Sequence, residues 1–218
     1  SPVGTAEFEE ESCCEKVRQL NKLFFIKTEE EVPVQSRYVL LKDSVLPTLN
    51  HIWRTVPPWT RQQATTLFDN QIQEIVFHLL GADSFADVDH VRGSSELHLP
   101  LRHGGLGVTN ATDVSIAAYT ASTWEAGIIH DSETTSMLVS RLQTEGVSID
   151  EEDLKQPAPN RKQQRWMVNQ IMQYRVQKIL YKYHREGNQA AKARLRAAQQ
   201  PGSHDWISVL PTSSTKSF

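Results

Sequence analysis

The stretch TRQQATTLFDNQIQEIVFHLLG, residues 60–81, decides the fold class. Ala64, Phe68, Ile72, Ile75 and Leu79 recur at spacings of four, four, three and four. That is the period of one face of an α-helix. Thr60 and Gln63 stand three apart, as the two residues of a capping box do. Gly81 supplies a C-terminal stop.

The same periodicity extends upstream. Cys13, Val17, Leu20 and Phe24 form one stripe, with Gly4-Thr5 as its start. An apolar segment from Tyr38 to Val56 contains Pro47, which kinks it or splits it into two helices, and Pro57-Pro58 ends it. Downstream, residues 82–95 read as polar loop. Asn110 or Thr112 can cap a helix carrying Val114, Ala117, Ala121, Trp124 and Ile128 on one side. Residues 131–160 are mixed and acidic, with Pro157 and Pro159, and read as a short helix plus linker. Asn160 can cap a long helix to about Glu186, with Val168, Met172, Val176, Ile179 and Tyr183 as its apolar stripe. A shorter helix over Gln189–Gln199 is broken by Pro201-Gly202, and Ser214–Phe218 is expected to fray. Leu97–Leu101 alternates as a short strand does. The reading is a mostly α, multi-helix bundle with little or no β-structure. It has a helical region 1–130 with a glycine-rich turn at 104–107, a linker 131–160 and a basic helical region 161–218.

A chain of 218 residues forms one large domain or two small ones. Its first residue is Ser1, so it is expected to be cut from something longer or processed. No apolar run approaches the roughly 20 residues of a membrane helix, and the polar, acidic start is not a signal peptide. The two cysteines, Cys13 and Cys14, are adjacent, which excludes a disulfide scaffold. A reducing, intracellular compartment, nuclear or cytoplasmic, is the expectation.

Charge is unevenly spread. Residues 161–196 hold ten Lys/Arg and one acid, Glu186, while the chain as a whole carries −3. A basic block on an acidic chain calls for a polyanionic partner or an intramolecular one. Arg175, Lys178, Lys182 and Arg185 repeat at three, four and three along the long helix, beside its apolar stripe. At roughly 1.5 Å per residue they cover about 15 Å, enough to meet several phosphates. Tyr174 and Tyr181 are placed to stack on bases.

Other chemistry finds little purchase. Gly104-Gly105-Leu106-Gly107 lacks both the Gly-Lys-Ser/Thr ending of a P-loop and the dinucleotide spacing. It reads as a tight turn needing positive φ. His78, His90, His98 and His103 have no metal-ligand spacing. There is no Gly-x-Ser-x-Gly elbow, and the Ser-x-x-Lys match Ser213–Lys216 sits in the tail. The carboxylates form runs, as solvated faces do.

Three blocks occur in order: LLKDSVLPTLNHIWRTVPP (40–58), LHLPLRHGGLGVTNATDVSIAAYTAS (97–122) and ARLRAAQQPGSHDWISVLPTS (193–213). Together they resemble the region that follows the polymerase domain in retrotransposon-type reverse transcriptases. The opening SPVGTAEF (1–8) is similar to the passage where palm gives way to thumb in that family. The resemblance implies a helical thumb-and-downstream module that grips a template–primer duplex. It implies equally that the catalytic aspartates lie elsewhere, in a palm this chain does not contain; no Asp-Asp pair occurs in it. Arg54 and Arg102 match family positions and are carried over as structural or backbone-contacting arginines.

The expected function is non-catalytic: contact with an RNA or DNA backbone, an RNA–DNA hybrid above all, through Arg54, Arg102, Arg175, Lys178, Lys182 and Arg185. No cofactor is expected on the chain; a divalent metal would belong to the missing palm and fingers, and no membrane is involved. The competing expectation is a helical scaffold in which the acidic front half neutralises the basic helix. Glu or Asp lying across the basic strip would favour it.

Overall fold

The computed structural model describes residues 4–20, 23, 26, 28, 31–81, 95–128, 131–156 and 162–203. Several expectations fall outside them: the stripe position Phe24, the loop at 82–94 with His90, the cap Asn160, and the tail from 204 with Ser213–Lys216.

The protein is mostly α, a multi-helix bundle with no strand among the described residues. In chain order the α-helices are α1 (Ala6–Arg18), α2 (Val34–Leu40), α3 (Asn50–Thr55), α4 (Gln62–Leu79), α5 (Ala111–Glu125), α6 (Ser132–Thr144), α7 (Glu151–Lys155), α8 (Gln163–Arg185) and α9 (Gln189–Ala198). The chain divides into two compact units. The first comprises Ser1–Val17, Leu49–Phe68 and Asn110–Gln177; the second comprises Arg18–Thr48, Asp69–Thr109 and Lys178–Phe218. The boundaries expected near 130 and 160 therefore both lie inside one continuous piece of the first unit.

Pro47 acts as its chemistry dictates. It has no N–H to give, so the α-ladder of α2 fails ahead of it. Leu41–Val45 widens into a π-turn, with the Leu46 N–H reaching the Leu41 carbonyl, and Leu46–Leu49 tightens into a 3-10 turn. The Thr48 hydroxyl donates to the Ser44 carbonyl at 2.7 Å, satisfying one acceptor the irregular ladder strands. Val56 is extended ahead of Pro57, as a residue before proline must be, and α3 ends there.

In the first unit, α3 packs against α5, α5 against α6, and α6 against α7. Their shared core includes Ala117, Trp124, Leu138, Leu142, Ile149 and Met167. The linker expected at 131–160 is corrected here: its Leu138, Leu142, Val147, Ile149 and Leu154 are core residues. Its acids are helix caps. Asp131 accepts from the Thr134 N–H at 2.6 Å, and Asp150 and Asp153 form a reciprocal capping box at the start of α7.

The expected cap at Thr60 is also corrected. Its hydroxyl donates to the Pro57 carbonyl at 3.0 Å, and the N–H of Gln63 goes instead to the Glu10 carboxylate at 2.9 Å. The expected stripe of α4 is buried throughout, from Ala64 at 0% exposure to Leu79 at 7%. Asn110 caps α5 through the Thr112 N–H at 2.8 Å, and Thr5 accepts from the Phe8 N–H at the start of α1.

Arg61 is fully buried and has no carboxylate beside it. It donates to the Ile52 carbonyl at 2.7 Å and the Ser115 carbonyl at 3.1 Å, and lies 5.2 Å from the Trp53 ring centre. It thus ties α3 to α5. Burial pulls its pKa down to about 10.

In the second unit, residues 95–97 are helical and 101–103 form a 3-10 turn, so the strand expected at Leu97–Leu101 is not formed. Leu97 and Leu99 are both buried, which explains their alternation. Gly104 and Gly107 take φ of +84° and +71°, the left-handed turn expected of them. At Gly105 any Cβ would collide with the carbonyls of Leu99 and Glu96. The turn is closed by the Gly107 N–H on the Leu99 carbonyl at 2.8 Å and by the Tyr38 hydroxyl donating to the Leu106 carbonyl.

Candidate nucleic-acid interface

The basic residues of α8 meet two different environments. Within the first unit, one guanidinium nitrogen of Arg175 contacts Asp113 at 2.6 Å and Glu145 at 2.7 Å. All three side chains are at least two-thirds buried. Acids therefore lie across Arg175, and its charge is spent inside the fold. Tyr174 is likewise half-buried; a Cβ on Gly146 would overlap it.

Arg54 is occupied in the same way. It donates to Gln164 at 2.6 Å and pairs with Glu125 at 3.1 Å. Of the two roles carried over for it, the geometry supports the structural one.

The second unit differs. Lys178 and Arg185 are exposed and Lys182 is half-buried, at i, i+4 and i+7 along α8. Neither Lys182 nor Arg185 makes an ion pair with any described residue. Tyr181, 67% exposed, stands among them. Gly187, at φ +67°, turns the chain into α9, which adds exposed Arg194 and Arg196 and half-buried Lys192. From 178 to 200 there are six Lys/Arg and one acid.

Glu96 organises this region, a role the sequence reading did not anticipate. It accepts from the Tyr183 hydroxyl on α8 and pairs with Arg194 on α9 at 2.9 Å. A lone glutamate at the edge of a polar loop carries no local signal for that. Arg102 is exposed on the 3-10 turn that packs against α9, and its Nε donates to His103 at 3.2 Å. Gln199 of α9 donates to the His103 carbonyl at 3.2 Å. Burial, and then the charge of Arg102, lower the His103 pKa, so a neutral imidazole sits beside that cation.

Of the six arginines and lysines picked out in sequence, the second unit holds four with exposed or half-exposed charge: Arg102, Lys178, Lys182 and Arg185. No group of His, Cys, Asp and Glu suited to a metal ion occurs among the described residues. No described helix is long and apolar enough to cross a membrane. No protein-family model, curated protein or solved structure matches the chain.

Proposed function

We propose that the protein is a non-catalytic nucleic-acid-binding module of a reverse-transcriptase-like protein. It holds the backbone of an RNA–DNA hybrid while a palm and fingers supplied elsewhere, with their divalent metal, carry out polymerisation. The sequence blocks at 40–58, 97–122 and 193–213 support the family assignment. The observation that carries the binding role is the second unit's cationic helix pair, where Lys182 and Arg185 meet no acid among the described residues. Contact is through Lys178, Lys182, Arg185, Arg196 and Arg102, with Tyr181 available to stack. Such a surface binds by displacing counterions and reads little sequence.

A second reading, a helical scaffold without a nucleic-acid partner, draws on Arg54 and Arg175. Both are neutralised by Glu125, Asp113 and Glu145.

Fluorescence anisotropy with a labelled RNA–DNA hybrid at low and moderate salt separates the two. Micromolar binding that weakens steeply with salt is expected. Changing Lys182, Arg185 and Arg196 together to Ala should reduce the log–log salt slope by about one per lost phosphate contact. A folded protein that ignores the hybrid at low salt would leave the scaffold reading.

A further inference from the structure

A pocket of about 430 Å³ opens in the first unit where α5, α7 and the start of α8 converge. That is within the range of small-molecule sites. Trp124, Ile149 and Trp166 supply its apolar lining; Ser148, Asp153, Lys162 and Gln163 supply the polar groups.

Two features of this lining are costly unless something binds there. Gln163 is only 4% exposed, yet its Nε2 makes no hydrogen bond. A buried donor left unpaired costs about 1–3 kcal/mol, and such groups are rare enough in folded proteins to require a reason. Trp166 is 39% exposed although it stands one turn into a helix whose next residue, Met167, is fully buried. The Trp124 N–H is already given to the Gln156 carbonyl at 2.7 Å, so that indole offers only its carbon surface.

The electrostatics narrow the ligand. Lys162 directly precedes the 23-residue helix α8, whose first turn is the positive end of its dipole. Asp153 brings a carboxylate, one oxygen of which already accepts from the Asp150 N–H at 3.0 Å. A ligand matching this lining has a flat face for Trp166 and an edge acceptor for Gln163. It also has an anionic group for Lys162 and hydroxyl donors for Asp153. A nucleotide has all four: base face, base-edge carbonyl or ring nitrogen, phosphate and ribose hydroxyls. An extended peptide offers acceptors but no wide planar face.

The geometry points to a pocket for one ribonucleotide unit in the first unit of the protein, either free or splayed from a single strand. It rests on the lining of this pocket and not on the basic helices.

The test is tryptophan fluorescence of the full chain titrated with AMP and, separately, with a short single-stranded RNA and its abasic counterpart. Gln163→Leu and Trp166→Ala are run alongside. Saturable quenching by AMP is expected, weakened about tenfold or more in Gln163→Leu and lost in Trp166→Ala. Gln163→Leu should melt no lower than the parent, because it removes an unpaired buried donor; a purely structural glutamine would lower the melting temperature. Response to the RNA but neither to AMP nor to the abasic strand assigns the base to a strand. Absence of any response, or a response unchanged in both variants, overturns the pocket. Changing Lys178, Lys182 and Arg185 to Ala should leave AMP binding intact, so failure of the hybrid-binding reading is told apart from failure of this one.

Discussion

Arg175 and Asp113, 62 positions apart in sequence, are joined at 2.6 Å, and the same arginine nitrogen also reaches Glu145. The most central cation of the basic stripe is thus a cross-link between helices of the first unit. Arg175→Ala should lower unfolding free energy by about 1–2 kcal/mol in urea titrations and leave hybrid affinity within twofold or so. Arg185→Ala should do the reverse, weakening binding with little effect on the urea midpoint. An Arg175 variant that is stable but loses binding would reassign it to the interface.

Arg61 is expected to be the most sensitive position of the first unit. Arg61→Met roughly keeps the volume but strands the Ile52 and Ser115 carbonyls and forfeits the contact with Trp53. A loss of about 3 kcal/mol or more is expected in chemical denaturation.

Alkaline pH should loosen the second unit through Tyr38. Burial, with Asp43 nearby, pushes its phenol up to about 12, from an ordinary value of 10.0. A folded-state pKa above the unfolded one means stability that is fully present below about pH 10 and is lost as pH rises toward about 12. The phenolate also cannot donate to the Leu106 carbonyl. Thermal melts from about pH 9 to about pH 11 should fall more steeply for the parent than for Tyr38→Phe, which starts from a lower melting temperature.

The glycine turn offers a controlled pair. Gly105→Ala places a Cβ into the Leu99 and Glu96 carbonyls, and neither can withdraw without opening the turn. Gly81→Ala meets nothing within 4 Å and costs only the strain of φ +72°, about 1 kcal/mol. Melting should drop far more for Gly105→Ala. Equal losses would mean that backbone conformation, and not close approach, makes glycine necessary at 105.

What could be read from sequence followed period and covalent chemistry. The stripe Ala64–Leu79, the break at Pro47 and the positive-φ glycines 104 and 107 are all local consequences of residue type. What could not be read was pairing at a distance. Asp131, Asp150 and Asp153 looked like a solvated acidic linker because composition does not distinguish a helix cap from a surface charge. Arg54 and Arg175 looked like binding residues because their partners, Glu125, Asp113 and Glu145, lie 30 to 110 positions away on other helices. Gln163 carried no signal at all; only its burial without an acceptor singles it out.

The interleaving of the two units has a practical corollary. The polypeptide passes from one to the other after Val17, Thr48, Phe68, Thr109 and Gln177. Neither unit is a continuous reading frame, and α4 and α8 are each cut by a boundary. A deletion series, the usual way to map an activity, would halve α8 between Val176 and Ile179 and strip both of their neighbours. Such fragments should aggregate or stay unfolded, and their silence in a binding assay would report lost architecture. Mapping this protein calls for point substitutions in the intact chain.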